Sequence, residues 1–273
     1  FKELENNFGV EVATLVDGVT KLPSVKLSQD GSTNNSSIGI ARAATVRKLL
    51  LATSEDARVM LIKLSDRLHN MQTGVPTWWE SAVTFLEKDE VIGPLVSQYK
   101  GESLVGQGDI FSTLVRSIVG QQISVLAADS IWGRLSEVVG PMTPENICKL
   151  SPEIIAKCGL TKPKSQYIFG IASQSENFLA KDWDSMTDEE ITKHFISFRG
   201  IGPWTSEMLL IFALMRPDIF SIGDLGLVKA VQALVPSALT KEDVLEVSLR
   251  WKPYRTAASW YLWRMLDPVP VAY

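Results

Sequence analysis

Asp224 stands in "RPDIFSIGDLGLVKAVQAL", after a Ser-Ile-Gly turn and before a helical run. An aspartate in that place can accept from the first amides of the helix as an N-cap. It can equally serve as a catalytic carboxylate, aimed by that helix end. The two readings are compatible, because a capping role fixes the direction of the side chain. Upstream, "FRGIGPWTSEMLLIFAL" (Phe198–Leu214) carries a Gly-Ile-Gly-Pro turn with Gly200 and Gly202. Two glycines let a backbone come very close to another surface. Pro203 suits the first turn of a helix, where its missing N–H costs nothing. The free amides and positive dipole end of that helix form an anion site, and a DNA phosphate is a natural occupant. The same turn also reads as a tight helical hairpin that only packs.

Around these residues the elements are helical. Thr205–Met215 is apolar on nearly all sides, so the helix after the turn is expected to be buried and to anchor the turn rigidly. "IFSTLVRSIVGQQISVLAADSIWGRLSEVVG" reads as long and largely buried. "SAVTFLEKDEVIGPLVSQY" has helical spacing with a break at Gly93-Pro94. "TPENICKL", "SPEIIAKCGL", "KPKSQYIFGIASQSENFLA" and "TDEEITKHFISF" each open on a Thr, Ser or Lys-Pro start signal. Thr187 with Glu190 fits a capping box. Strand-like alternation is nearly absent, and the chain is predicted to be all-α.

The 273 residues allow one or two domains. With 45% apolar and 21% charged residues the composition is that of a soluble globular protein, and no apolar run is long enough to span a membrane. The start "FKELENNFGVEV" has no initiator Met and no signal-peptide pattern, so the chain reads as cut or processed. Cys148 and Cys158 are the two cysteines. They cannot supply a four-cysteine zinc or iron–sulfur site, and they suit a reducing, cytoplasmic setting. A net charge of −4 counts against a nucleic-acid partner. Helix-start amides soften that objection, because they hold phosphate without lysine.

Residues 75–273 resemble the helix-hairpin-helix superfamily of base-excision DNA glycosylases, in its 3-methyladenine (alkylpurine) branch. "FRGIGPWTSEM" resembles the hairpin and "FSIGDLGLVKAV" the segment with the catalytic aspartate, which places that role on Asp224. "SIVGQQISVLAA" is similar to the region that pushes a residue into the DNA stack, implying Gln122, with Gln121 beside it; Gln122 also reads as an ordinary loop residue. "WKPYRTAASWYLWR" is similar to the helix that closes the base pocket. Trp204, Trp263 and Met208 map to pocket positions by this resemblance; tryptophans at helical spacing also read as core. Gly200 and Gly202 become DNA-backbone contacts. Main-chain carbonyls of Phe198 and Ile201 correspond to a loop that takes a monovalent cation, Na+ or K+. Lyase members carry a lysine two places after the second hairpin glycine; Trp204 stands there, implying a monofunctional enzyme that uses water. The resemblance implies no required cofactor, no iron–sulfur cluster, a monomer, double-stranded DNA with alkylated bases as partner, no membrane, and a bacterial cytoplasmic, nucleoid-associated place. A DNA-binding hairpin protein without catalysis is the competing reading.

Residues 1–74 read differently. "PSVKLSQDGSTNNSSIG" is a polar loop between helical segments, and "TGVP" marks a boundary. "FGVEVATLVDGVTKL" and "LLATSEDARVMLIKLSDRLHNMQT" resemble part of the HD hydrolase domain of RelA/SpoT-type guanosine-tetraphosphate enzymes. The resemblance implies a metal ligand at Asp66 and an asparagine partner at Asn70. The histidines that complete such a site have no counterpart, since His69 and His194 do not follow the pattern. The segment is expected to be an inactive remnant.

Overall fold

The computed structural model describes residues 74–106, 109–179 and 181–267. The partial hydrolase segment, with Asp66, His69 and Asn70, lies outside the described residues. All regular structure among the described residues is helical, as expected. Gly74–Leu179 and Asp188–Tyr273 make one compact unit. Residues 181–187 fall outside it and hold a single 3-10 turn, Trp183–Ser185.

The unit begins with α1 (Trp79–Leu86) and α2 (Gly93–Gln98); the expected break falls before Gly93-Pro94, at residues 87–92, and the Gly-Pro pair forms the first turn of α2, where proline is tolerated. Next come α3 (Ile110–Gly120) and α4 (Val125–Val139). Two short helices start on proline, α5 (Pro144–Cys148) and α6 (Pro152–Lys157), and the longer α7 (Lys162–Ser173) carries one at its second position. Thr143 and Thr161 cap α5 and α7 by accepting from Asn146 and Lys164 amides. After α8 (Glu176–Leu179) the unit resumes with α9 (Asp188–Ile196), which starts directly after Thr187. The hairpin then leads into α10 (Pro203–Phe212). The chain closes with α11 (Leu225–Leu234), α12 (Lys241–Leu249) and α13 (Arg255–Leu266). A complete capping box, unread in the sequence, opens α12: Thr240 accepts from the Asp243 amide, and Asp243 accepts from that of Thr240. Among the described residues no helix is long and apolar enough to cross a membrane.

Two helices make the scaffold. α10 is buried from Met208 to Phe212 and packs on α3 and α9. α13 is buried from Thr256 to Arg264 and packs on α1, α2 and α11. Burying each large apolar side chain of this kind is worth about 1.5–3 kcal/mol. Polar ties fix the ends. Arg255 clamps both carboxylate oxygens of Asp218 at 2.6 and 3.0 Å. Arg264 does the same to Glu102 at 2.9 and 3.1 Å. Asp89 accepts from the Val91 and Ile92 amides at the start of α2 and from Arg250 and Trp251 after α12.

One expectation fails. The stretch predicted to be long and buried is two helices, and α4 is mostly outside the core, with only Leu135 and Val139 buried. Leu126 is 83% exposed at its first turn, near Ile123 and Val125, which are exposed as well. The break at Gln121–Ser124 has a backbone cause. Gln122 takes φ 59°, a left-handed conformation that a helix cannot contain, and Ser124 starts α4 anew as an N-cap.

Candidate active site and nucleic-acid interface

Asp224 is the N-cap of α11, and its Oδ1 accepts from the Leu227 amide at 2.9 Å. The capping reading of the sequence is therefore met, and more is built on it. Oδ2 accepts from the Trp204 indole Nε1 at 2.9 Å, and Oδ1 lies 3.4 Å from Trp263 Nε1. Both indoles expected in the pocket thus hold the carboxylate between them. Trp204 sits in the first turn of α10 and is half-buried. Trp263, on α13, is buried and stacks on Phe212 with ring centroids 5.8 Å apart. Three elements from distant parts of the chain therefore meet on one carboxylate. Its charge is partly balanced by the positive end of α11.

Met208 does not join them as an accessible group. It is 1% exposed, one turn along α10 from Trp204, and belongs to the core. Glu207 is the residue that sequence reading missed. Its Oε2 accepts from the Ser221 hydroxyl, and the Ser221 carbonyl accepts from the Asp224 amide at 3.0 Å. Glu207 thereby anchors the first residue of the turn that presents Asp224. Burial pushes its carboxyl above the ordinary range; the Ser221 bond pulls it back, and the charge of Asp224 adds to the push. The signal in the sequence was an acid inside the apolar run "TSEMLLIF", which is costly unless paired. Gly226 was missed as well: a Cβ there would come within 3.0 Å of Asp224 Oδ1 and 3.9 Å of the Trp263 ring.

The two hairpin glycines stand in different surroundings. Gly200 has φ +93°, and a Cβ on it would lie 2.2 Å from the Tyr167 ring. The fold itself demands glycine there. Gly202 is the N-cap of α10 with φ −103°, and a Cβ on it would meet nothing within 4 Å. No internal contact demands glycine at Gly202, and open space in front of a helix start suits an external backbone. Pro203 occupies the first turn, as expected.

The loop before α4 places Gln122 outward and Gln121 inward. Gln122 is exposed. Gln121 Nε2 donates to the Gly200 carbonyl at 3.0 Å and to Thr205 Oγ1 at 2.9 Å. An amide nitrogen carries two hydrogens, so both are spent inside the protein. Gln121, expected beside Gln122 at the DNA stack, instead ties two loops together. The Phe198 carbonyl accepts from the Ile201 amide at 3.1 Å, while the Ile201 carbonyl accepts no backbone hydrogen bond among the loop and turn bonds described. Among the described residues no group of three or more His, Cys, Asp or Glu is placed to hold a metal ion.

Comparison with known proteins gives this geometry its family. Residues 115–253 match the model of the HhH-GPD superfamily base excision DNA repair protein, a span that holds the Gln121–Ser124 loop, the hairpin and Asp224. The chain belongs to that superfamily. It is 31% identical over 204 residues to DNA-3-methyladenine glycosylase 1 of Schizosaccharomyces pombe, covering 68% of this chain and 90% of that protein. Among solved structures it resembles the S. pombe 3-methyladenine DNA glycosylase in complex with abasic DNA, at a TM-score of 0.61 and 29% identity, over 71% of this chain and all of the other. Residues 1–78 match an HD domain. Seventy-two residues are 47% identical to the GTP pyrophosphokinase of Streptomyces coelicolor, which is 26% of this chain and 7% of that protein.

Proposed function

We propose that the superfamily member described here is a monofunctional DNA glycosylase that excises alkylated purines, of the 3-methyladenine and 7-methylguanine type, from double-stranded DNA. The observation that carries this reading is the Asp224 carboxylate, held by the Leu227 amide and the Trp204 and Trp263 indoles. A lysine at the place of Trp204 would form a Schiff base with the sugar; an indole cannot. The bond is therefore broken with water.

The hairpin amides beyond Gly202 hold a phosphate of the damaged strand, and Gln122 enters the stack as the base leaves it. Flipping costs a few kcal/mol, which alkylation reduces by weakening pairing. A purine methylated at N3 or N7 is cationic and stacks on the electron-rich face of Trp204. Its positive charge makes it a good leaving group. As the C1′–N9 bond stretches, the electron pair goes to the base and positive charge grows on the sugar. Asp224 faces that charge without rearranging, because its donors already fix it. It also accepts a hydrogen bond from the water that attacks C1′. If Na+ or K+ is held by the carbonyls of Phe198 and Ile201, it adds positive potential for phosphate at the hairpin. The enzyme works as a monomer, without a cofactor in the chemical step.

The test is release of methylated bases from alkylated duplex in the presence of a chelator, with strand breaks scored on the same gel. The parent is expected to release base and leave the strand intact. Asp224→Asn should slow release by at least about 100-fold, the scale of losing a group that stabilises transition-state charge, while binding of undamaged duplex stays within about twofold. Excision by the variant at the parental rate would remove Asp224 from the mechanism. Binding without base release by the parent would leave a DNA-binding hairpin protein.

A further inference from the structure

The wedge loop and the hairpin are far apart in sequence, yet they are joined by a small polar network that the chemistry above does not use. Gln121 reaches the hairpin at both Gly200 and Thr205. Lys164, near the start of α7, reaches the same loop from the other side. Its Nζ donates to the Gln121 carbonyl at 2.6 Å and to the Val119 carbonyl at 2.9 Å. These are orphan carbonyls at the end of α3, where a cation also meets the negative end of the helix dipole. Lys164 is half-buried, and burial lowers the affinity of its amine for a proton. One turn further along α7, the Tyr167 ring fills the space under Gly200, and the Arg199 guanidinium lies 5.8 Å from the centroid of that ring. α7 therefore supports both loops at once. Between them stands Gln122, exposed and in a left-handed conformation that its neighbours must impose.

We propose that Lys164 and Gln121 are positioning residues that bolt the wedge loop to the hairpin, so that gripping the phosphate and inserting Gln122 occur as one rigid-body event. The proposal rests on the glycosylase reading and adds to it the device that couples its two DNA contacts. A free loop would have to pay the ordering of Gln122 at the moment of insertion; a bolted one has paid it in folding. Lys164 does this with two of its three N–H donors turned inward, so it is not a phosphate ligand in the ordinary sense.

The experiment separates grip from insertion. A duplex carries a stable abasic-site analogue with 2-aminopurine at the adjoining position, whose fluorescence rises when it is unstacked. Affinity for undamaged duplex is measured by anisotropy, and single-turnover release of 7-methylguanine on a third substrate. Lys164→Met keeps the length and the apolar stem but removes both bonds. It is expected to bind undamaged duplex within about twofold of the parent, and to lose about tenfold in the rate of the fluorescence rise and in base release, the scale of a lost charge-assisted hydrogen bond. Lys164→Arg should restore part of both rates. Gln121→Met, which cuts the bolt from the hairpin side, should show the same split, and it serves where Lys164→Met lowers the thermal transition. A Lys164→Met enzyme that loses affinity for undamaged duplex but unstacks the probe at the parental rate would make Lys164 a phosphate contact and overturn the proposal. Parental rates in both variants would also overturn it. A parent that unstacks the probe and releases no base would overturn the glycosylase reading and leave the bolt standing.

Discussion

Asp224 and Glu207 are two carboxyl groups within one network, and their surroundings treat them differently. Asp224 is surrounded by donors: an amide and two indoles. Glu207 accepts from the Ser221 hydroxyl, is drawn away from water, and faces the charge of Asp224. The folded state therefore holds the Glu207 proton more tightly than the unfolded chain, where a glutamate titrates near about 4.3. By linkage, the folded state binds more protons between that value and the raised one, so the protein loses stability as pH rises through this window. Glu207→Gln keeps an acceptor for Ser221 and removes the charge. Its midpoint of thermal unfolding, taken relative to the parent, is expected to climb between pH 4 and pH 8. A difference that does not change with pH would show that the Glu207 carboxyl is not strained by its place. The acid was visible in the sequence only as an anomaly in an apolar helix. Its partner was not, because Ser221 lies fourteen residues away across a turn, and no local period links the two.

At the scale of the element, the hairpin is the part most legible in the sequence. Gly, Gly and Pro act on the backbone itself, so their meaning does not depend on tertiary neighbours. The wedge loop was legible only in part. A pair of glutamines says nothing about which one turns inward; that is decided by Gly200 and Thr205, 79 and 84 residues further on. Met208 failed for a similar reason, since one face of α10 carries both a site residue and core, and the boundary is drawn by packing. The hairpin supports a prediction that pits its glycines against each other. Gly200→Ala should destabilise the protein by about 1–3 kcal/mol, because it combines a left-handed backbone with a clash against Tyr167. Gly202→Val, which meets no clash but is a poorer N-cap, should lower the thermal midpoint less than Gly200→Ala, yet weaken binding to damaged and undamaged duplex alike by about tenfold, since phosphate contacts carry no base information. Thermal scans and anisotropy titrations read both. Equal DNA affinity of Gly202→Val and the parent would place the phosphate elsewhere.

At the scale of the whole molecule, every residue brought to the site lies between Gln121 and Trp263, within the compact unit that begins at Gly74. The Gly74 carbonyl itself accepts from the Gly106 amide at 2.9 Å, so a truncation belongs before it. Removal of residues 1–73 is expected to leave base release within about threefold of the full chain, once a cooperative thermal transition shows the shortened protein to be folded. The 273-residue chain is expected not to hydrolyse guanosine tetraphosphate with manganese, because its two histidines, His69 and His194, do not follow the pattern of such a metal site. Loss of excision in a folded truncation would make the HD-like segment part of the working enzyme; pyrophosphate release would mean that the segment holds a metal after all.

The left-handed backbone of Gln122 has a consequence for how this sequence can drift. A non-glycine residue in that conformation carries about 1–2 kcal/mol of cost, which glycine would relieve. The relief would remove the side chain that we propose fills the gap in the DNA stack. Selection for heat resistance and selection for repair therefore push this codon in opposite directions. A library screened only for survival of heating would collect glycine at position 122 and return hardier proteins that mend less DNA.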